Sequence, residues 1–213
     1  MVFLRYESFR EYIRLYPVTV IMLSINMIMF IVVTLSSLPT NVALIKYGAI
    51  MNYKIMDFET ISLVSPQLHT YVTSIFLHNG FRHLLFNSFS LFVFAPPLER
   101  MIGHMRYALL YVLSGIAGNV LSELVYSNML QKPYLSVGAS GAVYGIFGAF
   151  LYLILFRKDI LDHNSRKTVM MILGLGAVYS FLVPKINLYA HLGGMLCGLG
   201  LLGVMIKYRS RRR

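Results

Sequence analysis

Three short stretches hold residues that could do chemistry together. "HNGFRHLLFN" carries His78, His83 and Asn87, "VGASGAVYG" carries Gly138, Ser140 and Tyr144, and "NLYAHLGG" carries Asn187 and His191. A serine hydroxyl is a weak nucleophile near neutral pH, and an imidazole within about 3 Å can take its proton. If the fold joins them, Ser140 is a nucleophile and His191 its general base. An acidic third member would normally orient the imidazole. Only Glu123 lies clearly within an apolar stretch, near its far end, so the expected unit is a dyad. Asn187, one helical turn before His191, could weakly orient the ring, and Tyr144 could stack on it instead. Acyl transfer also needs hydrogen-bond donors for the oxyanion. His83, Asn87 and the Ser140 backbone N–H are candidates.

What could carry these residues is set by composition. Of the 213 residues 57% are hydrophobic and 13% charged, with a mean hydropathy of +0.68. Soluble domains carry about 25% charged residues. Such a chain cannot cover a water-facing surface, and its long apolar runs mark an all-α polytopic membrane protein. Six spans are expected, at about 18–38, 83–98, 107–123, 136–156, 168–183 and 188–206. The second and fifth are short for a bilayer that needs about 20 residues. Pro96 and Pro97 are expected to end the second. The first 17 residues read as a cytoplasmic amphipathic arm before an uncleaved first span. Residues 18–207 form the six-span domain and 208–213 a basic tail. The loop of residues 39–82 is too apolar for a free linker and is expected to pack on the bundle at the membrane interface. Cys197 is the sole cysteine, so no internal disulfide forms.

The net charge of +11 would suggest nucleic acid in a soluble protein. Here its distribution reports orientation instead, and no nucleic-acid partner is expected. Fourteen Lys and Arg fall in the arm, the even-numbered connections and the tail, against five on the other side. The positive-inside rule then places both termini in the cytoplasm. Spans two, four and six all enter from the outer face. Ser140 is four residues past Ser136, about 6 Å along a helix, and His191 five past Ile186, about 8 Å. His83 and Asn87 fall in the first turns of span two. Four polar residues on three spans thus share one depth, and intramembrane polar residues default to a functional reading.

Face agrees with depth. His83 with Asn87, and Ser140 with Tyr144, are i and i+4 pairs on one helix face. Gly141 with Gly145, and Gly194 with Gly198, form small-xxx-small pairs that let helix backbones approach closely. They would press span four onto span six and bring Ser140 within reach of His191. Blander readings exist for each residue. A membrane serine usually bonds its own i−4 carbonyl, His83 with Asn87 could clamp helices, and the glycines could serve packing alone. His78, His83 and His191 could hold a metal, but no H-E-x-x-H and no nearby carboxylate support one. Neither metal nor cofactor is expected. His69, His104 and His163 read as solvated loop residues.

With these motifs the chain resembles the rhomboid intramembrane serine proteases over nearly its full length. The resemblance rests on "GASG" at 138–141 opening the fourth span, "AHLGG" at 190–194 in the sixth, and two histidines with Asn87 four residues after the second. "LER" follows at 98–100. It implies a six-helix bundle with a water-filled cavity open to the outside and an outer loop embedded between spans one and two. Ser140 would be nucleophile and His191 base. His83, Asn87 and the Ser140 N–H would form the oxyanion hole, Tyr144 would pack on His191, and His78 would support the rim. The implied partners are membrane lipid and transmembrane protein substrates, cut near their outer ends at small residues with helix breakers nearby. Many members carry a Trp-Arg pair in the first outer loop. This chain has no Trp, and "HTYVTSIFLH" stands in that place, which bears on the loop or on lipid contact rather than on the chemistry. A non-catalytic relative that binds or escorts membrane clients is the alternative, but such proteins typically lack the serine or the histidine. A transporter would show polar residues at the midplane. The compact chain with no further domain points to a bacterial inner membrane.

Overall fold

Ser8 starts the first helix. Its hydroxyl accepts the Glu11 N–H, and the Glu11 carboxylate accepts the Ser8 N–H, closing a capping box on α1 (Phe9–Leu15). Pro17 sits in the first turn of α2 (Pro17–Leu35), where its missing N–H has no helical partner to lose. The computed structural model describes residues 2–4, 6–56, 61–64, 66–130, 132–182 and 186–210. After α2 come α3 (Thr40–Lys46), β1 (Ile50–Met56), β2 (Ile61–Val64), α4 (Thr70–Thr73) and a 3₁₀ turn, Ser74–Phe76. The long helices α5 (Phe81–Ile102) and α6 (His104–Glu123) follow, then a π-helical turn, Leu124–Met129, and β3 (Tyr134–Ser136). The chain closes with α7 (Ser140–Phe156), α8 (His163–Leu182) and α9 (Leu188–Ser210).

Six of these helices have 17 to 23 residues, and each overlaps one expected span. By length and composition Pro17–Leu35, His104–Ser127 and Leu188–Lys207 are long and apolar enough to cross a membrane, and Ser140–Phe156 is a shorter apolar helix. Around α7 lies the core. Ala142, Ile146, Ala149 and Phe150 on it are fully buried, packed with Leu98 of α5 and Leu110 and Tyr111 of α6. The arm joins this core. The Val2 N–H donates to Ser165 Oγ at 2.8 Å, and the Phe3 ring meets Phe94 and Phe150 edge-on.

The fold departs from the expectation in four places. It is not purely helical, because β1 pairs antiparallel with both β2 and β3 in a sheet of order β2-β1-β3. The segment 39–82 thus builds its own structure, and a second cluster (Val33, Ala43, Leu44, Ala49, Leu77) packs it against the end of α2. The second and fifth helices are not short: α5 has 22 residues and α8 has 20. Pro96 and Pro97 do not end α5 but lie inside it. An interior proline costs about 3 kcal/mol, partly through the i−4 carbonyl left without a donor. Here the carbonyl that Pro96 leaves open, that of Phe92, accepts the Tyr12 hydroxyl at 3.4 Å, the kind of neighbouring group that re-satisfies a broken ladder. Finally, Glu99 lies within α5 and is fully buried. One of its oxygens accepts the Val18 N–H at 3.0 Å and the other the Thr19 N–H at 2.9 Å and hydroxyl at 2.6 Å. His104 Nδ1 lies 2.7 Å from Glu99, so this histidine is paired rather than merely solvated. His69 and His163 are exposed. Of the basic residues used for orientation, Arg5, Lys185 and Arg211 to Arg213 fall outside the described residues.

Candidate active site

The sheet delivers the chain to the site. Ser136 at the end of β3 pairs with Ile50 of β1, and two residues later Gly138 turns with φ +124°, a backbone conformation that side-chain-bearing residues rarely adopt. Its N–H donates to the Ser74 carbonyl at 2.8 Å, and a Cβ there would lie 2.5 Å from the His83 ring. The imidazole of His83 therefore rests on the bare backbone of Gly138, two residues before Ser140 opens α7. His78, buried, meets His83 edge-on with ring centroids 5.1 Å apart. Asn87 is buried one turn further along α5, and its amide donates to the His83 carbonyl at 3.1 Å, which leaves the second amide hydrogen free for another acceptor. The helices α5, α7 and α9 all begin at this end, so their partial positive charges converge there.

Glycines set the distance between α7 and α9. A Cβ on Gly194 would overlap the Gly141 carbonyl, and one on Gly198 the Gly145 carbonyl. In the other direction, a Cβ on Gly141 would come within 3.3 Å of the Ala190 oxygen, and one on Gly145 within 3.3 Å of the Gly194 oxygen. The backbones are in direct contact along two turns. This close approach lays the Tyr144 ring flat on the His191 ring, with centroids 4.1 Å apart and planes 7° from parallel. Tyr144 is one turn from Ser140, so the first turn of α7 and the imidazole on α9 are neighbours. His191 is buried, and Ser140 is partly exposed. Among the described residues no hydrogen bond joins Ser140 to His191. In substrate-free sites such bonds are often long and tighten only with substrate.

The Asn187 amide is used elsewhere. Its oxygen accepts the Ala190 N–H at 3.1 Å, while its nitrogen donates to Ser122 Oγ at 2.6 Å and Ser136 Oγ at 3.0 Å. It pins the start of α9 to α6 and β3 and does not orient the imidazole. The partner of His191 Nδ1 is instead Ser180 Oγ on α8, at 2.9 Å. No motif contains Ser180. A depth count would have found it. Span five arrives at this layer rather than leaving it, and Ser180 lies three residues from the end of the expected span 168–183. A hydroxyl in a membrane helix is too common to notice without that count.

Comparison with known proteins shows the family. The Rhomboid domain family model matches residues 65–208. The chain belongs to the rhomboid family. A rhomboid-family protein of Bacillus subtilis (strain 168), YdcA, is 36% identical over 213 residues, covering 99% of both chains. Rhomboid protease GluP of the same organism is 32% identical over 181 residues, 84% of this chain but 33% of that one. Rhomboid-type serine protease 2 of Emericella nidulans is 34% identical over 136 residues, 63% of this chain and 26% of its relative. This rhomboid thus matches YdcA end to end, while it spans a third or less of the other two. It is an integral membrane protein, with apolar helices long enough to cross a membrane, of a family that includes serine proteases.

Proposed function

We propose that this rhomboid is an intramembrane serine endopeptidase that cleaves transmembrane segments near their outer ends through a Ser140–His191 dyad. The observation that carries the reading is the flat stack of Tyr144 on His191 across the glycine contact of α7 and α9. It supports holding the imidazole beside the turn that bears the serine. In the reaction, His191 Nε2 takes the Ser140 proton as Oγ attacks the scissile carbonyl carbon. The carbonyl oxygen becomes an oxyanion, and His83, the free Asn87 amide hydrogen and the Ser140 N–H donate to it. His191 then gives its proton to the leaving amine, the C–N bond breaks, and an acyl ester remains on Ser140. Water attacks the ester, its proton passes through His191 back to Ser140 Oγ, and the acid product leaves.

Six spans carry the site in this reading. Both termini face the cytoplasm, the catalytic layer faces outward, and the lysine and arginine distribution supports that orientation. The membrane is a bacterial inner membrane, and the 39–82 segment lies in its outer face. Ser140→Ala and His191→Ala should each abolish cleavage of a model transmembrane substrate with little change in melting temperature. Because the two act as a unit, the double variant should be no worse than either single one. Substantial turnover by Ser140→Ala would remove the dyad reading, and absence of cleavage by the wild type would leave a client-binding, non-catalytic rhomboid as the remaining reading.

A further inference from the structure

A histidine that acts as base through Nε2 must carry its resting proton on Nδ1. Among the described residues no carboxylate bonds His191 to hold that proton in place. The hydrogen bonds around Ser180 supply a substitute. Ser180 Oγ lies 2.7 Å from the carbonyl of Gly176, one turn back on α8, and donates its only proton there, the usual bond of a helical serine. With that proton committed, Oγ can only accept from other groups. Among the described residues two groups reach it: His191 Nδ1 at 2.9 Å and the Tyr144 hydroxyl at 3.3 Å. A hydroxyl oxygen has two lone pairs, and two donors fill them. Nδ1 must then bear hydrogen, and Nε2 is left with its lone pair open.

Local packing holds the serine in this role. Ser180 is buried, although α8 presents Leu175, Val178 and Leu182 outward as exposed side chains. Gly176 has no side chain where the Tyr144 hydroxyl sits: a Cβ there would lie 2.5 Å from that oxygen. The glycine thus lets Tyr144 reach Ser180 while its ring covers His191. The ring is fixed in its plane by the stack and in its rotation by the Nδ1 bond.

We infer that Ser180 is a positioning residue of the dyad, accepting a hydrogen bond from His191 Nδ1 and thereby keeping Nε2 free as the base. It takes the place of the acidic member of a triad without carrying charge, which suits a site in a low-dielectric bundle where an unpaired carboxylate would be costly. It ties α8 to the catalytic helices, so the base is set only when α8 is docked. The inference rests on the dyad reading and deepens it.

The test combines spectroscopy with kinetics on the full-length protein in detergent or bilayer. With ¹⁵N-labelled histidine, and His191→Gln to assign the signal, resting wild-type protein should show His191 as the Nδ1–H tautomer. Ser180→Ala should shift that signal toward a mixture of tautomers. Its kcat should fall about ten- to a hundredfold while KM changes less than twofold, because substrate contacts remain and only the base is misplaced. Ser180→Thr, which keeps the hydroxyl, should recover most of the lost kcat. Gly176→Ala, which displaces the Tyr144 hydroxyl, should give an intermediate loss. An Nε2–H tautomer in the wild type, or Ser180→Ala with unchanged tautomer and kcat within twofold of wild type, would overturn the inference. If Ser140→Ala remains inactive in the same assay, only the role of Ser180 has failed. If Ser140→Ala is active, the dyad itself has failed.

Discussion

Glu99 and His191 are both buried polar side chains within the helical bundle, and they differ in how much of their hydrogen-bonding capacity is used. Around Glu99 everything is taken. Its two oxygens accept the Val18 and Thr19 amides and the Thr19 hydroxyl, and His104 closes the set. Those amides belong to the first turn of α2, which has no intrahelical partners of its own, and a carboxylate there also meets the positive end of the helix. At the other cluster the bonding is complete only behind the imidazole, through Ser180. In front, Nε2 of His191 and the hydroxyl of Ser140 make no hydrogen bond among the described residues. A saturated cluster holds helices together. One left open on a single side, over a rigid back, can exchange protons.

Mutations that separate holding from reacting would sharpen or break this contrast. Ser140→Ala should remove activity by at least about 10³-fold with stability unchanged. Glu99→Ala should do the reverse. It leaves the Val18 and Thr19 amides of α2 without their acceptor and should lower stability by about 1 to 3 kcal/mol for each buried donor stranded, while the protein that remains folded keeps near-normal activity. Thermal unfolding and turnover per folded molecule, measured on the same samples, check both. Loss of catalysis in fully folded Glu99→Ala protein would show that the two clusters are not separate.

An intermediate case lies in the glycine seam, where structure and chemistry meet. Gly198→Val would drive a side chain into the Gly145 carbonyl. A misplacement of about 1 Å can reduce the rate by about a hundredfold, so activity should drop by that order and melting temperature should fall. Gly200, two residues on along α9, has open space where a Cβ would go. Gly200→Ala should leave both properties unchanged. If Gly198→Val keeps full activity, the seam does not set the spacing of the site.

The smallest measurable loss is expected at Tyr12. Tyr12→Phe removes the donor to the Phe92 carbonyl beneath Pro96 and should lower stability by about 1 kcal/mol with no change in kcat. A change in kcat would mean that the bend at the prolines reaches the site.

Much of this was legible in the chain itself because membrane helices leave few places for polar atoms. His83, Asn87, Ser140 and His191 stand out against apolar runs, and their spacing gives both face and depth. The glycine pairs are legible for the same reason: nothing but close packing recommends glycine in a helix interior. Features that depend on a distant partner were not legible. Nothing near Pro96 announces that Tyr12, 84 positions earlier, will mend the helix ladder. The strands β1 and β2 lie in a mixed segment whose pairing with β3 is a tertiary choice. Ser180 looks like any helical serine, and does make the usual bond to its own i−4 carbonyl. Its second use arises only when α8 docks against α9.

The central claim is that Ser140 is an activated nucleophile. It is tested most directly by a serine-reactive fluorophosphonate applied to membranes containing the protein, with the adduct located by mass spectrometry. A single adduct on Ser140 is the predicted result, lost in Ser140→Ala and strongly reduced in His191→Ala. Equal labelling of wild type and Ser140→Ala, or an adduct mapped to a different serine, would contradict it.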